Sequence, residues 1–217
     1  MIKRLRIAVL ANNSAGSPDL LAEHGLSMLI EADDRRILFD TGQGRVLLDN
    51  LAALVVCLAP LDAVVLSHGH YDHAGGLSAA LQEGDPSFIF VHPAALNQKS
   101  AKREPPPRSI GIPGLSREAL DTVQARIVRT RSAMEIVPGV WCTGETLRVY
   151  AAEQTEGYFF LDADCREPDP LVDDQALVAE TTRGLVVIAG CAHAGVMNAL
   201  DHVSKLAGRP SVSRSPS

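Results

Sequence analysis

Ser67-His68-Gly69-His70-Tyr71-Asp72-His73-Ala74-Gly75-Gly76 is the stretch that decides the fold, because it concentrates metal-ligand residue types at one point of the chain. It holds three of the seven histidines and one carboxylate. Neutral imidazole and carboxylate groups are ligands that zinc, iron and manganese accept. A solvated polar loop needs no His-x-His-x-Asp-His order, so the spacing indicates a metal site. The predicted ligands in this stretch are His68, His70, Asp72 and His73.

The residues around this stretch predict how it is held. Val64-Val65-Leu66 is apolar and rich in β-branched residues, which is typical of a buried strand. Gly69, Gly75 and Gly76 indicate a tight loop that turns into a helix. We therefore expect a rigid strand end to present the ligands.

A second stretch repeats the order of a strand, a tight turn with a histidine, and a helix. The apolar run Gly184–Ala189 predicts a buried strand, Gly190-Cys191-Ala192-His193-Ala194-Gly195 follows it, and 196–206 predicts a helix. His193 is therefore a further predicted ligand, which a sheet that ends both strands at one edge would bring to the first stretch. Cys191 has two open roles, a thiolate ligand of the metal or a buried structural cysteine.

Length and composition predict one α/β domain. The 217 residues suit a single domain with a sizeable core. Hydrophobic residues make up 46% and aromatic residues only 4%, so Val, Leu, Ile and Ala must build the core, as in buried α/β sheets. We assign the domain to residues 1–207 and expect 208–217, rich in Ser, Pro and Arg, to be disordered.

Charge, cysteines and hydropathy argue against several classes of protein. A net charge of -6 and a pI near 5.6 disfavour a nucleic-acid-binding surface. The four cysteines form no Cys-x-x-Cys pair, which disfavours a zinc ribbon or a disulfide framework and favours a reducing compartment. The apolar run 7–11 is short for a signal peptide, and no apolar segment approaches the ~20 residues that span a bilayer. We expect a cytoplasmic protein with no membrane and no nucleic-acid partner.

The remaining periodic segments predict a strand-rich chain with few helices. The predicted strands are 2–10, 25–31, 35–40, 62–66, 87–91, 125–130 and 175–180, together with short strands within 134–141 on either side of a turn at Pro138-Gly139. Segments 25–31 and 35–40 are expected to pair as a β-hairpin. The other predicted helices are 45–58 and 76–82, whereas 99–114 matches no regular element.

Some residues near the predicted strand ends have two open roles. Asn12 can line a pocket or form a turn with its own loop. Asp40 can accept a hydrogen bond from a ligand histidine or cap the following helix. Tyr158-Phe159-Phe160 can form a pocket rim or pin a surface excursion. A basic loop can be a lid over an anionic substrate or a solvated insertion. The cations of this loop are Lys99, Lys102 and Arg103.

The histidine stretches resemble those of the metallo-β-lactamase superfamily, whose His-x-His-x-Asp-His signature is matched at 68–73 without a gap. More narrowly, residues 5–205 resemble its subgroup of dihydropterin-ribofuranosylaminobenzene-phosphate synthase-like hydrolases. Besides the two histidine stretches, the resemblance is carried by Glu23-His24-Gly25-Leu26-Ser27 and Leu38-Phe39-Asp40-Thr41-Gly42. It implies an α/β fold, the αββα sandwich, with metals at one edge of two sheets.

The resemblance also implies how the ligands are shared between two metal ions. His68, His70 and His193 would hold one ion, while Asp72 and His73 would contribute to a second. The expected cofactor is a divalent metal, with zinc as the first choice, iron or manganese as alternatives, and one or two ions per chain.

Members of the subgroup are expected to continue past the last helix with another strand and a further metal-binding histidine. After Leu206 this sequence holds only Ala207-Gly208-Arg209-Pro210 and a Ser-rich tail. We therefore expect a C-terminally shortened copy that lacks its last strand and helix and one ligand. Asp173 and Asp174 are weak candidates for a bridging carboxylate. The missing sheet edge predicts self-association into a homo-oligomer.

The predicted site favours hydrolysis of a small molecule. A divalent metal lowers the pKa of bound water to about 7 and so supplies hydroxide at neutral pH, which Asp72 would orient as the candidate catalytic residue. Metal-held oxygens suit phosphoesters and esters, and the family name suggests an anionic, phosphorylated substrate. The alternative is a degenerate binding protein that keeps the fold with little or no activity. Iron-based redox chemistry would need a flavin or electron-transfer domain, for which the chain has no room.

Overall fold

The computed structural model describes residues 1–102, 106–153 and 157–208. Two predictions fall on other residues, because Arg103 of the basic loop and the expected disordered tail beyond Gly208 lie outside the described part. In chain order, the described strands β1 to β13 are Leu5–Ala11, Ser27–Ala32, Arg35–Phe39, Ala63–Val65, Phe88–Val91, Ser100–Ala101, Arg108–Ser109, Ile127–Arg129, Ser132–Val137, Val140–Gly144, Phe159–Phe160, Ala176–Thr181 and Gly184–Ala189. The described α-helices α1 to α5 are Leu47–Ala53, Tyr71–Ala74, Leu77–Gly84, Gly114–Thr122 and Val196–Leu206.

The first sheet has the strand order β1-β2-β3-β4-β5-β8 and carries the ligand stretch. Strands β1, β2 and β3 are antiparallel, and β2 and β3 form the predicted hairpin. Strands β3, β4, β5 and β8 run parallel, so their carboxyl ends share one edge of the sheet. Asp40, Ser67 and His92 follow β3, β4 and β5 at this edge.

A second sheet, β13-β12-β10-β9, packs against one face of the first. The buried side chains between the sheets include Phe39, Val65 and Phe90 from the first sheet and Val140 and Leu177 from the second. The short strands β11, β6 and β7 form a third, small sheet.

Helices cover the opposite face of the first sheet. Successive side chains of a strand point to opposite faces, so each strand packs against the second sheet on one side and against helices on the other. In β4, Val65 faces the second sheet, whereas Val64 faces a core cluster with the helices. The helical residues of this cluster include Leu47 of α1, Leu77 of α3 and Leu120 of α4. Helix α5 packs against β10 of the second sheet. This order of layers confirms the predicted αββα sandwich.

Three element predictions were wrong in detail. The segment 99–114 was predicted to lack regular structure, yet it contains β6 and β7, whose pairing with each other and with β11 no local period reveals. Helix α4 was missed because only Ser116 and Leu120 of it are buried, too few for a helical apolar period. Helix α1 ends well before residue 58, and Val55 beyond it has a left-handed φ of 54° that a helix cannot continue through.

Strand β13 was predicted to be buried, but only Ile188 of its six residues is fully buried. Its position at the edge of the second sheet explains the exposure, since in the described part of the chain it pairs with β12 alone. Among the helices that the structure describes, none is long and apolar enough to cross a membrane.

Candidate metal centre

The ligand loop after β4 packs closely against the backbone near Ala95, and at Gly69 the contact is so close that only glycine fits. A Cβ atom on Gly69 would overlap the backbone carbonyl of Ala95. The Gly69 N–H donates to the carboxylate of Asp173 at 2.8 Å. These contacts fix the backbone of the loop at Gly69, between His68 and His70. Both histidines are buried.

The second histidine stretch reaches the same place from the end of β13. Ala192 and Gly195 have positive φ values of 50° and 98°, which turn the chain sharply between the strand and α5. This turn places the His193 ring 4.8 Å from that of His68 and 5.0 Å from that of His70, measured between centroids. Folding thus brings His193 to His68 and His70, although it lies 123 positions after the nearer of the two in the sequence.

These three residues, which we call the histidine triad, have the geometry of a metal site. Their ligand nitrogens all lie within 4.8 Å of one another. His68 Nε2 and His70 Nδ1 are 3.0 Å apart, near the separation of about 3.3 Å for two nitrogens on a tetrahedral zinc with bonds of about 2.05 Å. The Nε2 atoms of His70 and His193 are buried without a hydrogen-bond partner in the described structure. Since buried polar atoms are nearly always satisfied, the unpartnered Nε2 of His193 fits a bound cation, for which His68 Nε2 and His70 Nδ1 supply the other two nitrogens.

The protonation of the triad also suits a metal. Burial lowers the pKa of His70 to about 2 and that of His193 to about 4, and it lowers the pKa of His68 well below its usual value. Neighbouring histidines lower all three pKa values further. At neutral pH the rings are uncharged, which is the form that binds a metal.

Asp40 fixes the orientation of His68 through Ser67. The Ser67 hydroxyl donates its single hydrogen to Asp40 Oδ2 at 2.7 Å, so it accepts a hydrogen bond from His68 Nδ1 at 2.8 Å. This arrangement leaves the lone pair of His68 on Nε2, toward the rest of the triad. Of the two roles open for Asp40, the structure shows contacts with a histidine and not a helix cap.

A second group, which we call the His73 cluster, consists of His73, Asp72 and Cys191. His73 Nδ1 lies 2.6 Å from Asp40 Oδ2, and its Nε2 lies 3.0 Å from Cys191 Sγ and 3.6 Å from Asp72 Oδ2. Burial alone would lower the pKa of His73, but the charge and hydrogen bond of Asp40, with a contribution from Cys191, raise it to about 11. The Cys191 side chain is exposed, so it is not a buried structural cysteine.

A cavity of about 600 Å³ opens onto both groups. Phe159 of β11 lies in its wall, with its ring 5.2 Å from that of His70 and 5.4 Å from that of His193. The aromatic segment 158–160 therefore forms a pocket rim. Arg108 of β7 also lines the cavity and has no ion-pair partner within the described ranges.

His24 is a cavity residue that reasoning from single motifs missed. Its Nε2 lies 3.3 Å from Asp72 Oδ2, and most of its side chain is exposed. The preceding Glu23 is buried, and its carboxylate accepts the backbone N–H groups of Gln43 and Arg45. A charged residue followed by histidine and glycine was the sequence signal, but it gave no spacing to another ligand.

Two other residues singled out from the sequence, Asn12 and Lys99, do not line the cavity. The Asn12 amide oxygen accepts the N–H of Asn13 at 2.8 Å, which is the turn role, and Asn12 also lines a separate small pocket away from the metal centre. The basic loop had two open roles, a lid over an anionic substrate or a solvated insertion, but Lys99 is fully buried and fits neither. Its Nζ lies 2.7 Å from Asp169 and 3.0 Å from Asp173. The lid prediction is therefore wrong for Lys99, because two carboxylates hold its charge inside the protein.

The two candidate bridging carboxylates, Asp173 and Asp174, accept hydrogen bonds from backbone N–H groups of the loops near the triad. Asp173 accepts hydrogen bonds from Gly69 and Lys99, as described above. Asp174 Oδ2 accepts the N–H of Ala194 at 2.8 Å, next to His193. Burial raises the pKa of Asp174 to about 6. Both carboxylates thus stabilise the loops that carry the triad.

Comparison with known proteins agrees with this geometry. A family model described as the metallo-beta-lactamase superfamily matches residues 21–205. The 7,8-dihydropterin-6-methyl-4-(beta-D-ribofuranosyl)-aminobenzene-5'-phosphate synthase of Methanocaldococcus jannaschii is 29% identical over 95% of this chain and 74% of its own length. An uncharacterized protein of the same organism is 33% identical over 92% of this chain and 74% of its own.

Among solved structures, the crystal structure of Tm1679, a metal-dependent hydrolase of the beta-lactamase superfamily, is 32% identical. It superposes with a TM-score of 0.73 and covers 93% of this chain and 72% of its own. The family model covers most of the chain, and the fold and the His-x-His-x-Asp-His loop agree with it. The chain therefore belongs to the metallo-beta-lactamase superfamily.

Proposed function

We propose that this protein is a metal-dependent hydrolase acting on a phosphorylated or ester-containing small molecule. The observation that carries the proposal is the histidine triad, whose neutral rings converge while two of its buried nitrogens lack a partner. A divalent ion bound there, with zinc the first choice, lowers the pKa of a coordinated water and polarises a substrate oxygen. Membership of the superfamily supports a metal-dependent enzyme in general.

The residues of the chain have separate parts in this proposal. His68, His70 and His193 would hold the ion, with His68 oriented by Ser67. Asp72 reaches the cavity wall between His24 and His73, where its carboxylate can accept a hydrogen bond from water and orient that water toward a substrate.

The cavity wall supports an anionic substrate. Arg108 brings a guanidinium with five donors into the wall, and such a group suits phosphate or carboxylate oxygens. Phe159 covers the rings of His70 and His193 and keeps bulk water from that side of the triad. The synthase relative is named for a 5'-phosphate compound, in agreement with a phosphorylated substrate.

The proposal is tested by metal analysis and a screen of phosphoester and ester substrates. Purified protein should contain a divalent metal, and His70→Ala should lose both that metal and turnover. His202→Ala is the matched control, because His202 lies on α5 and its ring contacts the Thr143 carbonyl outside the cavity. Unchanged turnover in a folded His70→Ala protein would overturn the proposal.

A second candidate function is a thiol-dependent hydrolase that uses no metal. Cys191, His73 and Asp40 form a chain of contacts at 3.0 and 2.6 Å, which is the order of nucleophile, base and orienting carboxylate in cysteine hydrolases. Turnover that survives a chelator and disappears in Cys191→Ser would favour this candidate. Turnover that the chelator removes and added metal restores would favour the first.

A further inference from the structure

The third sheet forms one wall of the cavity, yet it is too small to fix its own position. Its strands β6, β7 and β11 have two residues each. Strands this short make few ladder hydrogen bonds, and a small sheet needs packing against another element to be stable. Each strand nevertheless contributes one residue to the cavity wall, Ala101, Arg108 and Phe159 in chain order, and the register pairs Ala101 with both of the others. The position of these side chains therefore depends on contacts outside the sheet.

Lys99, directly before β6, makes such contacts inside the protein. Its side chain is fully buried, and its Nζ donates to Asp169 Oδ2 at 2.7 Å and to Asp173 Oδ1 at 3.0 Å. A buried ammonium is unfavourable unless carboxylates and hydrogen bonds compensate its charge. Because both carboxylates come from a distant part of the chain, the ammonium joins β6 to that part, which an apolar side chain of the same length would not do.

The two carboxylates lead to opposite sides of the cavity. Asp169 belongs to the side of the third sheet, since its backbone N–H donates to the carbonyl of Phe159 at 2.9 Å. Asp173 belongs to the side of the ligand loop, since its Oδ2 accepts the N–H of Gly69 at 2.8 Å. The ammonium between them therefore connects the cavity wall to the loop that carries two ligands of the triad.

A backbone path from Lys99 reaches the same loop. The carbonyl of Lys99 accepts the N–H of Ile110, and the carbonyl of Ile110 accepts the N–H of Tyr71, each at 2.9 Å. The side-chain path ends at Gly69 and the backbone path ends at Tyr71, so the two paths from one residue end on either side of His70. Lys99 thus fixes the third sheet relative to the triad at two points.

We propose that Lys99 is a positioning residue, which sets the place of the third sheet over the triad and so aligns Arg108 and Phe159 with a bound substrate. The proposal rests on the proposed function, since the cavity is that of the proposed hydrolase. In the described structure Lys99 does not line the cavity, so its effect passes through Asp169 and the sheet. Loss of the ammonium should therefore weaken the binding of an anion at Arg108 more than the binding of a metal ion at the triad.

The test variant has to remove the ammonium without leaving two unpaired carboxylates inside the protein. Lys99→Met alone would leave them and could prevent folding. The double variant Lys99→Met/Asp169→Asn removes one charge of each sign, so the net charge of the buried group is unchanged. The Asn oxygen can still accept the N–H of Leu171, as the Asp169 carboxylate does at 2.8 Å. Lys102→Met is the control, since Lys102 is an exposed cation three residues later that does not line the cavity.

Binding of inorganic phosphate to the zinc-loaded full chain tests the positioning role. By isothermal titration calorimetry, the Kd of the double variant should rise about tenfold, as expected when an anion-binding group is misplaced. Its zinc affinity in a competitive titration should change less. When Arg108→Ala is already present, the double change should have no further effect on the phosphate Kd, because it acts by moving Arg108. An unchanged phosphate Kd, or an equal added loss in the Arg108→Ala background, would overturn the inference.

Hydrogen exchange followed by mass spectrometry gives a second readout that needs neither metal nor substrate. In the metal-free double variant, the amides of 99–102 and 158–161 should exchange at least about tenfold faster than in wild type, because the sheet opens more often. Amides of β2 and β3 in the first sheet should not change, which shows that the variant is folded. Unchanged exchange in the third sheet would overturn the inference. Unchanged turnover in a folded His70→Ala protein would instead overturn the metal-dependent hydrolase and leave the phosphate and exchange results in place.

Discussion

The histidine triad and the His73 cluster share a cavity but differ in how the protein satisfies them. The triad consists of neutral rings with buried, unpartnered nitrogens. In the cluster, both ring nitrogens of His73 have partners, and Asp40 raises its pKa to about 11. An ion entering the triad needs only that His70 move its proton from Nδ1 to Nε2, because His68 Nε2 accepts a hydrogen bond from His70 Nδ1, whereas an ion entering the cluster must displace protons. If each group binds an ion, the triad should therefore fill first.

Replacing Asp40 by Asn should have the largest effect on the difference in metal affinity between the two groups. The substitution keeps the shape but removes the charge that holds His73, so we expect the second equivalent of metal to bind about 10–100-fold more weakly. The first equivalent should change less, because His68 contacts Asp40 only through Ser67. Competitive metal titration measures both affinities.

Ser67→Ala is the matched variant, since it removes the contact with His68 and leaves the contact between His73 and Asp40. It should weaken the first equivalent more than the second. Equal losses at both sites in either variant would mean that Asp40 joins the two groups into one unit.

Replacing Asp174 by Asn should change the pH dependence of stability on the side of the triad. The folded-state pKa of Asp174 is raised from 3.8 to about 6, so its ionised form destabilises the fold. This penalty is absent below pH 3.8, appears as pH rises, and is complete above pH 6. Two units correspond to about 3 kcal/mol. Relative to Asp174→Asn, the metal-free wild type should therefore lose up to about 3 kcal/mol of unfolding free energy between pH 4 and pH 7.5.

Urea unfolding of both chelated proteins at a series of pH values measures this difference. The Asn amide oxygen can still accept the N–H of Ala194, so the hydrogen bond is a constant in the comparison. A stability difference that does not change with pH would contradict a raised pKa at Asp174.

The smallest expected effect concerns the cavity wall. Arg108→Ala should raise the Kd of inorganic phosphate for the metal-loaded protein by about tenfold, or roughly 1.4 kcal/mol. Arg129→Ala is the control, because Arg129 is an exposed arginine on β8 that does not line the cavity. Isothermal titration calorimetry measures both. Equal phosphate affinity in the two variants would place the anionic end of a ligand elsewhere.

Features that depend on local order could be predicted from the sequence. Two apolar runs separated by Ala32-Asp33-Asp34 predicted the β2–β3 hairpin, and the segment predicted for α5 has the bounds that the structure gives, Val196–Leu206. The strand-turn-helix pattern around His193 also pointed to its meeting with the first histidine stretch, because buried strands of one sandwich end near a common edge.

Features that depend on distant partners could not be predicted. Nothing near Lys99 signals that its charge is neutralised by Asp169 and Asp173, seventy or more residues later. The role of Phe159 stayed open, since only the folded chain places β11 over the triad. His24 was missed for the same reason, because its partner Asp72 lies on α2, 48 residues later in the sequence.

The close fit of Gly69 has a consequence for redesign of the ligand loop. Its missing side chain leaves room for Ala95, and its N–H is committed to Asp173, so a library that randomises the loop should recover glycine at this position. Tyr71, two residues later, lines the cavity, and its backbone N–H donates to the carbonyl of Ile110 in the segment that follows β7. Substitutions of the side chain at residue 71 can therefore change the cavity wall and the preference for substrate, while the backbone conformation of the metal-binding loop is kept.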